Sequence, residues 1–306
     1  MAKLAVNIKG LVKKYGNTHA LNGLDLEIPE GSFFGLLGPN GAGKTTTINI
    51  LTGLVKKSSG ETEVFNHDTI SEFRNSRKLI GLAPQELSFD FFFSIRDMLA
   101  LQGGYYGMSF KEGRNRADEL LEQFGLTEKA DDNARQLSGG MKRRLQIAKA
   151  LMHDPPLIIL DEPTAGVDIE LRHMLWEFLK EQNKKGKTIL LTTHYIEEAE
   201  NLCDTVAIID KGKIIEQGSP NELIQSMGIS KLEIKVNGWD DNFVNGNKEY
   251  AFNNNVLHIP APDPEKEMIW WIQKLKENNI SVEDIHISKS SLEDVFLKLT
   301  GRSINN

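Results

Sequence analysis

Residues 38–46 read Gly38-Pro39-Asn40-Gly41-Ala42-Gly43-Lys44-Thr45-Thr46, and the reading of this stretch decides the fold. Gly38, Gly43, Lys44 and Thr45 satisfy the spacing G-x-x-x-x-G-K-[ST]. Glycines let successive backbone N–H groups turn inward as a nest for the β- and γ-phosphates, Lys44 adds a point charge, and the Thr45 hydroxyl suits Mg²⁺. The flanks agree. An apolar run, Phe33 to Leu37, enters the loop, and Thr46-Thr47-Ile48-Asn49-Ile50-Leu51 leaves it as a helix whose positive end faces the phosphates.

Working outward, Leu157-Ile158-Ile159-Leu160 is apolar without alternation, as expected of a parallel strand covered on both faces, and it ends in Asp161 and Glu162. Open α/β sheets bind ligands at the carboxyl ends of their strands. There Asp161 is expected to hold Mg²⁺ through water, and Glu162 to polarise an attacking water as general base. A second apolar strand, Thr188 to Thr193, ends in His194, which is placed to set an imidazole against the γ-phosphate. Ser138, in Leu137-Ser138-Gly139-Gly140-Met141, is a good N-cap for a helix Met141 to Met152. Its two glycines allow an anion to approach the free N–H groups of that helix.

In this order the motifs resemble those of ATP-binding cassette (ABC) transporter ATPases, over roughly residues 4 to 222. The resemblance implies an α/β P-loop cassette with an antiparallel β edge, a parallel-sheet core and a helical subdomain. It also implies Mg²⁺-dependent hydrolysis of ATP. Gly38, Pro39, Asn40, Gly41, Ala42, Gly43, Lys44, Thr45 and Thr46 would cradle the phosphates, and Tyr15, in KKYGNTHAL, would stack on adenine. Gln85, in GLAPQE, matches the glutamine that touches Mg²⁺ and communicates with the membrane subunit, so Thr45, Gln85 and Asp161 form the expected metal set. Ser138, Gly139 and Gly140 match the signature that caps ATP on the opposite subunit, Asp168 in AGVD the D-loop, and His194 the switch histidine. Lys44, Glu162 and His194 are the expected catalytic residues. Two departures are Met141, where glutamine is usual, and AGVD in place of SALD. Neither removes a phosphate-contacting group.

Composition agrees with this class. The chain has 306 residues and a net charge of −7, enough for one large or two modest domains and against a nucleic-acid footprint. The basic trio Lys142-Arg143-Arg144 reads as a solvated helix face. Cys203 is the only cysteine, so a disulfide framework is not expected. MAKLAVNIKG lacks an apolar core of signal-peptide length, and no apolar run reaches the roughly 18 residues of a membrane span. Any pore is then expected on another chain.

Leu4 to Leu11 and Leu21 to Ile28 alternate like strands around Tyr15. From Gln85 to about Asn133 the pattern is helical, with Leu99, Leu120, Leu121 and Phe124 as expected core, inside a helical subdomain of residues 86–155. Phe89-Asp90-Phe91-Phe92-Phe93-Ser94-Ile95 reads either as a groove for a membrane subunit's helix or as buried core. Val206 to Ile209 is a further strand, turned by Asp210-Lys211-Gly212-Lys213. The expected cassette is residues 1–225, followed at 229–306 by a small α+β domain of split βαβ type. Its strands are Leu232 to Val236, Val256 to Ile259 and Ile280 to Ile287. Its helices are Pro264 to Glu277, with Met268, Trp271, Ile272 and Leu275 on one face, and Leu292 to Leu299. Trp270-Trp271 reads as core packing.

The tail SLEDVFLKLTGR, with GGYYG, GGMKRRL and HYIEEAE, resembles ATPase subunits of bacterial drug and polysaccharide exporters. That likeness implies a homodimer of the ATPase bound to separate transmembrane permease subunits, on the cytoplasmic face of the bacterial inner membrane. An importer ATPase and a non-transport cassette are the alternatives. DNA-repair relatives insert a long coiled coil between P-loop and signature, and translation-factor relatives carry two cassettes; neither feature occurs in this sequence.

Overall fold

The computed structural model describes residues 3–227, 230–239, 249–288 and 290–301. Met1 and Ala2 of the opening decapeptide, and Arg302 of the tail motif, lie outside them. The chain divides into two compact units, the first running to Pro220 and the second beginning at Asn221.

In the first unit β1 (Leu4–Tyr15) and β2 (Thr18–Pro29) form a hairpin, and β3 (Phe33–Leu37) enters the glycine loop that α1 (Lys44–Leu51) leaves. There follow β4 (Ser59–Val64), β5 (His67–Asp68), α2 (Phe73–Lys78), β6 (Ile80–Ala83), α3 (Ile95–Gly104), α4 (Phe110–Gln123) and α5 (Gly139–Ala150). The unit continues through β7 (Leu157–Asp161), α6 (Ile169–Lys184), β8 (Thr188–Thr193), α7 (Ile196–Leu202), β9 (Thr205–Asp210) and β10 (Lys213–Gly218). An antiparallel sheet has the order β2-β1-β4-β5, and a six-stranded sheet the order β10-β9-β3-β8-β7-β6. All its neighbours pair in parallel except β10, which returns antiparallel to β9 through the turn at Lys211-Gly212.

The pattern of burial explains this layering. Along β2 Leu24, Leu26 and Ile28 are buried and the residues between them exposed, so that sheet hides one face. Every residue of β3, β7 and β8 is buried, as a parallel sheet covered on both sides requires. One cluster joins the sheets: Val6, Ile8, Leu26 and Ile28 pack with Leu36, Ile48, Ile159 and Leu190. The strand order then sets the site, because the carboxyl ends of β3, β8, β7 and β6 lie side by side. Gly38 and His194 follow β3 and β8, Asp161 ends β7 with Glu162 next to it, and Gln85 lies two residues beyond β6.

In the helical segment Leu99, Leu120, Leu121 and Phe124 are buried. Ser94 caps α3, Ser109 and Glu112 form a capping box on α4, and Ser138 caps α5 by accepting from Met141 N. Both loop-borne helices begin earlier than sequence periodicity suggests, α1 at Lys44 and α5 at Gly139, because their first turns carry glycine and polar residues with no apolar stripe. The aromatic segment divides between its two readings. Phe89 and Ile95 are buried, whereas Phe91, Phe92 and Phe93 are exposed.

After α8 (Pro220–Met227), which spans the boundary, the second unit contains β11 (Lys231–Asn237), β12 (Ala251–Asn253), β13 (Val256–Pro260), α9 (Pro264–Glu277), β14 (Ser281–Ser288) and α10 (Leu292–Thr300). Its sheet order is β12-β13-β11-β14, antiparallel throughout. β13 and β14, joined by α9, are therefore parallel to one another with β11 between them, which is a split βαβ unit. Trp271 and Leu275 are fully buried against Leu232, Ile234, Val236, Leu257 and Ile259, and Met268 and Trp270 pack at the cluster's edge. Trp271 is core, and Trp270 flanks it.

Candidate nucleotide-binding and catalytic site

The glycine loop turns tightly because two positions have no room for a side chain. A Cβ at Gly38 would lie 2.4 Å from the carbonyl oxygen of Ile209, and one at Gly43 2.7 Å from Leu21. Gly43 also holds φ +116°, which a side chain would strain. It caps α1 without any side-chain bond, so the first N–H groups of the helix are left for an anion. Lys44 is buried, and its Nζ donates to Gly38 O at 2.6 Å and Pro39 O at 3.3 Å. Burial pushes this ammonium down from its ordinary value, and the charges of Glu162 and Asp161 push it back up. A cationic side chain beside the free N–H groups at the start of α1 suits a polyphosphate.

Glu162 stands at the centre of the cluster. It follows β7 with φ +49°, a left-handed conformation that costs a non-glycine residue roughly 1–3 kcal/mol. Its backbone N–H donates to Thr192 O at 3.0 Å and to Thr192 Oγ1 at 3.2 Å, which fixes the turn against β8. The carboxylate is buried. Oε2 accepts from Gln85 Nε2 at 3.1 Å and lies 3.2 Å from His194 Nδ1, while Oε1 lies 4.0 Å from Lys44 Nζ. Side chains from three other motifs thus meet at the Glu162 carboxylate. Asp161, also buried, accepts from the Thr192 hydroxyl. The Thr45 hydroxyl, Gln85 and Asp161 offer oxygen donors of the hard kind Mg²⁺ prefers.

Tyr15 ends β1 half-exposed, with Lys13 Nζ 4.6 Å above its ring. Ser138 and Gly139 are exposed at the start of α5, and Asp168 is exposed while capping α6 through Leu171 N at 2.8 Å. No hydrogen bond or ion pair among the described residues joins the signature or Asp168 to the Glu162 cluster. Within one copy the expected site is divided accordingly.

The basic trio corrects the sequence reading. Arg143 is buried, and its guanidinium donates to Pro84 O, Gln85 O, Gln146 Oε1 and Glu162 O. Arg144 donates to Phe124 O. Charge alone marked the trio as solvated, but the helical period of α5 sets Arg143 in line with Ile147 and Ala150, both buried. That periodicity was the available signal.

Comparison with known proteins accords with this geometry. A family model described as ABC transporter matches residues 21–165. The Nod factor export ATP-binding protein I of Burkholderia lata is 38% identical over 98% of this chain and 98% of its own length. The linearmycin resistance ATP-binding protein of Bacillus subtilis is 37% identical over 99% of each. Among solved structures, a dimeric ATP-binding cassette in a post-hydrolysis state with ADP and Pi is 31% identical. It superposes with a TM-score of 0.65 over 70% of this chain and 98% of its own. The chain belongs to the family of ABC transporter ATP-binding subunits, and its chemistry is the hydrolysis of ATP.

Proposed function

We propose that this chain is the ATP-hydrolysing subunit of a bacterial exporter, in which two copies close head to tail on ATP while docked to separate membrane-spanning permease subunits. The observation that carries the reading is the Glu162 carboxylate held between Gln85 and His194 and facing Lys44. Bound Mg-ATP supplies the phosphoryl group and its neutralising cation. Residues 38–46 hold the phosphate oxygens, with Lys44 as the fixed charge, and Tyr15 stacks on adenine. Thr45, Gln85 and Asp161 hold Mg²⁺. Glu162 accepts the proton of the attacking water, and His194 fixes the carboxylate's direction.

Exposure of Ser138 and Gly139 at the start of α5, with no hydrogen bond to their own chain's Glu162 cluster among the described residues, supports their service to a second copy. The roles carried in the relatives' names, Nod factor export and linearmycin resistance, support outward transport. Among the described residues no helix is long and apolar enough to cross a membrane, and the place proposed is the cytoplasmic face of the inner membrane, held there by the permease. A cleft of about 370 Å³ lined by Leu54, Leu82, Pro84, Ser88, Gln102 and Tyr106 is where the permease would insert a helix.

Phosphate release by the purified chain tests the chemistry: it should require Mg²⁺ and fall by about 10² to 10⁴ in Glu162→Gln. Direction is tested in inside-out vesicles holding the chain and the membrane protein that co-purifies with it. ATP should drive accumulation of the transported compound there; uptake only into right-side-out vesicles would make the complex an importer.

A further inference from the structure

The helix that starts at Ser138 carries a buried cation five residues on, and the hydrolysis scheme above does not use it. Arg143 is 5% exposed, and all four of its acceptors are neutral oxygens. Nη1 donates to Pro84 O at 3.1 Å, Gln85 O at 3.2 Å and Gln146 Oε1 at 2.9 Å, and Nη2 donates to Glu162 O at 2.8 Å. Nη1 has two hydrogens for three acceptors, so one of those bonds is shared. Gln146, one turn further along α5, donates from Nε2 to Glu86 O at 2.7 Å. Side chains of α5 therefore hold the carbonyls of three consecutive residues, 84–86, together with that of Glu162.

A guanidinium is costly to bury unless its donors are used, and here they are spent on backbone groups next to the reacting carboxylate. Burial pushes Arg143 down from its ordinary value, and the carboxylates of Asp161 and Glu162 hold it charged. Glu162 has the left-handed backbone that few non-glycine residues adopt, with its N–H bound by Thr192 and its C=O by Arg143. Gln85 reaches the same carboxylate by its side chain and the same guanidinium by its carbonyl.

We infer that Arg143, with Gln146 behind it, is a positioning residue for hydrolysis, locking the Glu162 turn and the Gln85 backbone to the helix that begins at Ser138. Arg143 acts through Glu162, so the inference rests on the reading of Glu162 as general base. It also makes the spacing of Glu162 and Gln85 depend on α5, whose exposed start is the part a second copy would engage.

The test replaces Arg143 with Met, similar in reach and without donors. In Arg143→Met, kcat for ATP hydrolysis should fall roughly 10²-fold, the loss typical of a misplaced catalytic group, with KM for ATP within about twofold. In the nucleotide-free protein, amide exchange should speed at residues 85–88 and 164–165 and stay unchanged in α1. Single-turnover hydrolysis in a Glu162→Gln background should fall by less than about threefold on adding Arg143→Met, because the group it positions is already gone. Unchanged kcat in Arg143→Met, or the same loss in both backgrounds, overturns the proposal. Wild-type hydrolysis by Glu162→Gln alone removes the general-base reading instead. If Arg143→Met does not fold, Gln146→Met keeps the guanidinium and frees Glu86 O; kcat should fall about 3- to 10-fold with faster exchange at 85–88. No change in both would equally defeat the proposal.

Discussion

Glu162 Oε2 and His194 Nδ1 lie 3.2 Å apart, brought together by parallel pairing of β7 with β8 in a register that sets Asp161 opposite Thr192. Each residue is the first beyond its strand, so the sheet itself supplies the spacing. In the proposed scheme the imidazole holds the carboxylate in a single direction. His194→Ala should lower the hydrolysis rate about 10²-fold while ATP affinity changes little, since the loop around Lys44 is untouched. Phosphate release and equilibrium binding of labelled ATP, measured on the same preparation, check both halves. A normal rate would remove His194 from the mechanism.

Lys44 and Tyr15 should fail in different ways. Lys44→Ala removes the buried charge that the loop encloses, and binding of every nucleoside triphosphate should weaken together. Tyr15→Ala removes a ring worth roughly 1–3 kcal/mol of base stacking. ATP should then bind about 5- to 150-fold more weakly, and preference for adenine should fade. Competition among ATP, GTP and inorganic triphosphate separates the two; a Tyr15→Ala protein that binds ATP normally would show that adenine lies elsewhere.

Phe92 is 93% exposed, between a buried Phe89 and a buried Ile95. Its neighbour Phe91 is clasped by the Arg135 guanidinium 4.8 Å from the ring and by Asn133, which donates to its carbonyl. An outward aromatic on an anchored turn suits a partner's helix. Phe92→Asp should leave folding and isolated ATPase activity intact and uncouple transport in the assembled complex. Unimpaired transport would assign the ring no role at the interface.

His153 sets an acid limit on the fold. Burial pushes its imidazole down from the usual 6.5 to about 4; Nε2 lies 3.1 Å from Ile80 O and the ring stacks on Tyr106 at 3.5 Å. The unfolded chain takes a proton near pH 6.5, whereas the folded one waits until about pH 4. Stability therefore falls as pH drops through that window, by about 1–2 kcal/mol for this partly exposed group, and His153 adds nothing further below it. Urea midpoints between pH 4 and 7 should slope less in His153→Phe, which keeps the stacking without the titration. Equal slopes would place the acid sensitivity in other groups.

The sequence made the site legible wherever short-range rules apply. Residues 38–46, Asp161-Glu162 and His194 each follow an apolar strand, and parallel strands announce themselves by runs without polar interruption. What it could not supply was lateral order. Nothing in the residues says that β8 lies between β3 and β7, yet that order is what brings His194 to Glu162. Arg143 escapes notice for a related reason: its charge reads as a solvated face, while its acceptors include backbone carbonyls 59, 58 and 19 residues away. Short strands such as β5 and β12 were missed, because two or three residues carry no period of their own.

The division of the site within one copy yields the last prediction. Ser138 and Gly139 stand exposed at a helix start, while Glu162 is buried with Gln85 and His194. If those signature residues cover a second copy's phosphates, a protein that binds ATP without consuming it should be glued into a dimer. Glu162→Gln provides that state, because the amide keeps the shape of the carboxylate and loses its basicity, a change worth about 10² to 10⁴ in rate. In the presence of Mg-ATP, Glu162→Gln should sediment as a dimer, and without nucleotide as a monomer. Adding Ser138→Arg sets bulk at the point of approach, so the double variant should stay monomeric while each chain still binds ATP. A double variant that dimerises as readily as Glu162→Gln would show that the copies meet through another surface.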